Sequence, residues 1–109
     1  MVELKSVIDK MQVLEERFSK AQKILFKYAQ VKAESERVYR MELAQEILRL
    51  RAEGMQAVLI ADVARGSVAQ EKFNRDFADA QYRSAIESIE SMRVQMSALQ
   101  SILRYQTEI

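Results

Sequence analysis

Three observations predict an all-α fold, a long antiparallel helical hairpin with a short helical elbow. Apolar residues recur at steps of three and four along both halves of the chain. The only two glycines, Gly54 and Gly66, stand near the middle, and there is no proline. The remaining composition is rich in Glu, Lys, Arg, Ala, Gln, Leu and Met, all good helix formers.

In the first half, Leu4, Val7, Met11, Leu14, Phe18, Ala21, Leu25 and Tyr28 form the seam of a coiled coil. The polar Lys32 and Ser35 then meet the seam. Tyr39, Leu43, Ile47 and Leu50 resume it one residue out of frame. Tyr28, Tyr39 and Leu50 are spaced by elevens, which favours a straighter path. The intervening V-K-A-E-S-E-R-V-Y-R holds no breaker, so helix 1 is expected to run unkinked through Ser35, from about Val2 to Glu53. Phe26 lies off the stripe and is read as widening the core.

Gly54 is suited to the left-handed residue that ends a helix. Gly66 is expected to do the same before Ser67, an N-cap with Gln70 three residues on, in the pattern of a capping box. The elbow of residues 54–66 is then an extended stub followed by a short helix over about Leu59–Arg65. Val58, Leu59, Ile60 and Val63 are read as plugging the end of the core.

The last helix is expected over about Val68–Thr107. Tyr82, Ala85, Ile89, Met92, Met96, Leu99, Leu103 and Gln106 step three and four. Phe73, Phe77 and Ala80 are read as extending this stripe forward.

Length matters here. A helix of ~50 residues is ~75 Å long, whereas a compact domain of this size has a radius of gyration near ~13 Å. Two helices in contact bury one stripe each. The single domain, residues 1–109, is therefore expected to assemble into a multi-helix bundle, most simply a homodimer of four helices. A second line on the last helix supplies the interface: Ser84, Ser88, Ser91, Gln95, Ala98 and Ile102 carry no charge where a solvated face would carry Glu and Lys.

The chain has neither histidine nor cysteine. That removes the usual zinc sites, cysteine nucleophiles and histidine-based triads. The two glycines are too far apart for a phosphate-cradling loop. Asp76 and Asp79 share a helix face, with Asp62 and Glu71 as neighbours, and carboxylates so placed could bind Mg²⁺ or act as acid and base. Lys72, Arg75 and Arg83 alternate with them, the pattern of surface ion pairing. No enzyme activity, cofactor or metal is expected.

Lys and Arg total 17 against 16 Asp and Glu, so the chain is nearly neutral. One acid-free window nevertheless holds Arg17, Lys20, Lys23, Lys27 and Lys32, and the hairpin would set Arg93 and Arg104 beside it. Such a belt could meet phosphates in a salt-dependent way. No aromatic interleaving accompanies it, so a solvated face is preferred over nucleic-acid binding. The charged N-terminal stretch and the lack of a long apolar run point to a cytoplasmic protein without a membrane span.

The stretch E-G-M-Q-A-V-L-I-A-D-V-A-R-G, with F-N-R-D-F-A-D-A-Q-Y-R-S-A-I-E-S-I after it, resembles small helical-hairpin proteins encoded by phages and prophages of Gram-positive bacteria. The resemblance covers about residues 53–103 and rests on Glu53, Gly54, Leu59, Ile60, Asp62, Gly66, Arg75, Asp76, Ala80 and Tyr82. Those proteins often carry a proline soon after the first glycine, where this chain has Gln56 and Ala57. The resemblance implies a phage accessory protein in a bacterial host and carries no activity. It also focuses attention on Asp62, Arg65, Arg75 and Asp76, expected to form an ion-pair network that locks the elbow.

Overall fold

The computed structural model describes residues 3–108. They form three helices, α1 (Leu4–Ala52), α2 (Ala57–Ser67) and α3 (Ala69–Glu108). The expected start of helix 1 at Val2 lies outside the described residues. α1 is a single helix through Ser35, whose hydroxyl donates to the Lys32 carbonyl at 3.0 Å without breaking it.

The chain divides into two units, residues 3–27 with 83–108, and residues 28–82. In the first, α1 and α3 run antiparallel, with Val7, Leu14, Ile89 and Met92 buried between them. Every α3 position read as seam from Tyr82 to Gln106 is buried or half-buried, whereas Leu4 at the start of the α1 seam is exposed.

In the second unit α1 turns at Gly54, whose φ of +83° is the left-handed conformation. The Met55 N–H donates to the Leu50 carbonyl at 3.1 Å and the Gly54 N–H to that of Arg51 at 3.1 Å. This pair of bonds closes a helix end by consuming two orphan carbonyls. Arg49 and Arg51 in the last turn complement the negative end of the helix dipole. Met55 then folds back on a cluster of Leu50, Ile60 and Ala64, flanked by Leu43 and Ile47.

The rest of the elbow differs from expectation. α2 begins at Ala57 and continues through Gly66 and Ser67, so Gly66 is helical and does not take a positive φ. No capping box forms: the Ser67 hydroxyl donates back to the Val63 carbonyl at 3.1 Å, and Gln70 donates to Asn74. The break between α2 and α3 is one residue, Val68, which is buried and donates its N–H to Ala64 at 3.2 Å. Burying Val68 anchors the junction in place of a cap. Of the four apolar residues read as a plug only Ile60 is buried; Val58, Leu59 and Val63 face outward, because an unbroken helix turns one stripe inward.

The forward extension of the last stripe also differs. Phe73, Phe77 and Ala80 are exposed; the positions turned inward before Tyr82 are the buried Ala78 and the half-buried Gln81, Asp79, Arg75 and Glu71. Phe26, read as core, is 66% exposed.

The glycines give opposite expectations. A Cβ at Gly54 would meet nothing within 4 Å but would sit at positive φ, so Gly54→Ala lowers stability by about 1 kcal/mol. Gly66 has open space and helical φ, so Gly66→Ala raises it by about 0.5–1 kcal/mol. Urea unfolding at one fixed protein concentration measures both.

Candidate functional site

In residues 28–82 the seam between α1 and α3 turns polar. Lys32 arrives on it by continuing the steps from Tyr28, and its Nζ lies 3.7 Å from Asp79 and 5.4 Å from the Tyr82 ring centroid. Arg75 enters from α3. Its Nε is 3.5 Å from Glu36, and its guanidinium stands 4.4 Å from the Tyr39 ring centroid. The same side chain holds Asp76 at 3.0 Å, and Asp76 accepts from Lys72 at 3.0 Å. These cations lose water at the seam and regain opposite charge and an aromatic face, the arrangement that makes a half-buried charge tolerable. Hydrogen bonds from Lys72 and then Arg75 hold the Asp76 carboxyl below its usual range. The Arg75 guanidinium is raised, chiefly by Asp76.

A cleft of about 710 Å³ opens over these charges. Asp76 and Asp79, the two carboxylates capable of acid–base work, each face a cation there. Among the described residues no three His, Cys, Asp or Glu side chains gather as a metal site would need. The expected elbow lock is placed differently: Asp62 pairs with Arg65 at 3.4 Å, both exposed, while Arg75 and Asp76 lie beyond Val68 and work at the seam. Arg75 shares the inward side of α3 with Ala78, Asp79 and Tyr82, which carries it to Glu36 and Tyr39.

The basic belt is divided. Arg17, Lys20, Lys23 and Lys27 are exposed, and among the described residues no ion pair engages them. Lys32 belongs to the seam. Arg93 pairs with Glu90 at 2.9 Å and lies 5.9 Å from the Phe18 ring centroid. In the first unit Arg17 borders a groove with Val13, Gln95 and Leu99, whereas Arg93 borders another with Phe18 and Met96. Arg104 is exposed at the far end of α3.

The expected interface line lies at the surface: Ser84, Ser88, Ser91, Gln95, Ala98 and Ile102 are all exposed, Gln95 at the rim of the groove with Val13 and Arg17. Two residues that sequence reasoning assigned to the core join the surface. Phe73 and Phe77 are 61% and 54% exposed, with rings stacked at 6.0 Å. In total seventeen large hydrophobic side chains are exposed among the described residues, against nine buried hydrophobic ones. No helix among them is long and apolar enough to cross a membrane. Compared with known families, curated proteins and solved structures, the chain has no match.

Replacing Arg75 by Ala removes an ion pair and a ring contact, so urea unfolding at pH 7 should show a loss of about 1 kcal/mol. Asp62→Ala should stay within about 0.5 kcal/mol of the parent. Part of the acid dependence follows from Asp76, beside Glu34 and Glu46, whose carboxyls Arg37 and Arg49 also hold below the usual range. The folded pKa of Asp76 lies below its unfolded one, so its contribution is full above the ordinary carboxylate range and is lost as pH falls through the folded value. Asp76→Asn should flatten the acid limb of a melting-temperature profile.

Proposed function

We propose that this chain is a non-enzymatic helical protein that works by self-association and by binding a protein partner. The observation that carries the reading is surface. The chain exposes 8281 Å², whereas a compact monomer of its 12.6 kDa mass exposes about 6,200 Å². The excess, about 2,000 Å², exceeds the ~800 Å² that each partner of a standard interface gives up. Much of the exposed area is apolar and sits on helix faces, the form in which helical bundles recruit further helices. The resemblance of residues 53–103 to phage and prophage proteins adds the setting: an accessory protein in the cytoplasm of a bacterial host.

Nucleic-acid binding is the second reading. It now rests on Arg17, Lys20, Lys23 and Lys27, four exposed cations of the acid-free window that no ion pair engages among the described residues. Changing Lys20, Lys23 and Lys27 to Gln separates the two. Salt-sensitive DNA binding that the change abolishes would favour it.

Light scattering and sedimentation at about 10 μM should give at least twice the 12.6 kDa chain mass. Ser91→Glu with Ala98→Glu should weaken association at least about 10-fold, since charge is excluded from interface cores. The triple Lys→Gln variant should associate as the parent does. A monomeric parent at this concentration would overturn the proposal.

A further inference from the structure

The uncharged line on α3 is longer than its serine-rich part. Counting back from Ser84 in the same steps reaches Ala80, Phe77, Phe73 and Ala69, all exposed. All ten positions, Ala69 to Ile102, belong to α3 itself and none carries a charge. With 30% of the chain charged, ten uncharged positions on a solvated face are not what solubility selects.

We infer that this face is the contact with a second copy of the chain, α3 lying antiparallel on α3 about a two-fold axis near Ile86. The inference rests on the self-association proposed above and adds its surface, orientation and register. Residue numbers that face one another then sum to about 171 by the near-palindromic spacing of a three–four stripe. Side-chain size supports this orientation. Phe73 meets Ala98 of the second copy, Ile102 meets Ala69, and small residues meet at the centre, Ala80 with Ser91 and Ser84 with Ser88. Bulk thus faces bulk nowhere except at Phe77, which meets Gln95. In a parallel, in-register pair Phe73 would face Phe73, Phe77 would face Phe77, and the serines would face serines. The helices would be wedged apart at one end and under-filled at the other, and either error is costly in a packed contact.

Charge agrees. Arg83 and Glu87 border the line near its centre. Antiparallel pairing brings Arg83 toward Glu87 of the second copy, twice by symmetry. Parallel pairing sets like charge against like. The area is also sufficient. The line is ~50 Å long at 1.5 Å per residue, so a strip ~16 Å wide along it supplies the ~800 Å² per partner of a standard interface. Phe73 and Phe77 are its anchors, since large aromatic side chains carry most of the energy in such contacts.

The parent chain has no cysteine, so paired single-cysteine variants of the whole chain test the register. Mixed Ala80→Cys and Ser91→Cys chains should form a disulfide-linked dimer under mild oxidation, while neither variant alone should. Two copies of residue 80 lie ~17 Å apart in this register, beyond the ~7 Å Cα limit of a disulfide. Phe73→Glu should weaken dimerisation at least about 30-fold, and Phe26→Glu, at an exposed position off the line, should leave it unchanged. Cross-linking of Ala80→Cys alone would mean parallel pairing and overturn the inference. So would a doubled mass with no cross-link in the mixture, or an undiminished dimer in Phe73→Glu; both would leave self-association standing. A monomeric parent would remove both.

Discussion

A contact between two helices hides one stripe of each, whatever the sequence, because side chains more than about a quarter-turn from the partner reach only solvent. In both units α1 and α3 meet along such a stripe. That limit leaves nine buried hydrophobic side chains among the described residues. It leaves other seam residues half-buried and sends the apolar residues off the stripe outward. The surface phenylalanines and valines are thus a consequence of the architecture, and only a surface from outside the hairpin can cover them.

The seam itself is not uniformly apolar. Its middle in residues 28–82 holds Lys32, Glu36, Arg75 and Asp79 beside Tyr39 and Tyr82. Charges there gain less than leucines would, since desolvation offsets most of the Coulombic attraction. What they supply is direction. Lys32 meets Asp79, and Arg75 meets Glu36 and the Tyr39 ring, only if the two helices stand in this register. A slip of one helical turn breaks both pairs, whereas an apolar seam could slide and repack. The polar stretch is best understood as setting register, with the apolar cluster of Leu50, Ile60 and Ala64 closing the end.

The sequence pattern displayed the helices and most of the seam, because steps of three and four are the direct imprint of helix geometry. Val7 to Leu50 on α1 and Tyr82 to Gln106 on α3 could be read this way, with Leu4 the exception. The reading went astray where residue type and step disagreed. From Tyr82 the step rule leads to Asp79 and Arg75, but apolar preference leads to Phe77, five residues away. Keeping the step would have found the charged seam and freed both phenylalanines for the surface. The elbow misled for another reason. Gly66 and Ser67 are the residue types of a helix boundary, yet the boundary is set by burial of Val68 one residue on, a tertiary fact with no local signal. Likewise Arg17 and Arg93 share a sign and a level, but which flank each takes depends on the pairing of the two helices.

The same disagreement between residue type and step bears on function. Placing charge inside and phenylalanine outside is unfavourable for a solitary chain. Turning α3 so that Phe73 and Phe77 entered the seam would expel Arg75 and Asp79 to water, where both are at home. The observed rotation forgoes that gain. It becomes favourable if the outer face is also an inner one, buried against a further helix, because each phenylalanine then buries its ring and the seam keeps its register pairs. On this argument the orientation of α3 is chosen by the assembly as well as by the hairpin. If the chain associates as proposed, association also stabilises the fold by mass action, since only the folded chain presents the paired faces. Folding and assembly are then one equilibrium, in which the small seam sets the geometry and the outer face supplies the missing burial.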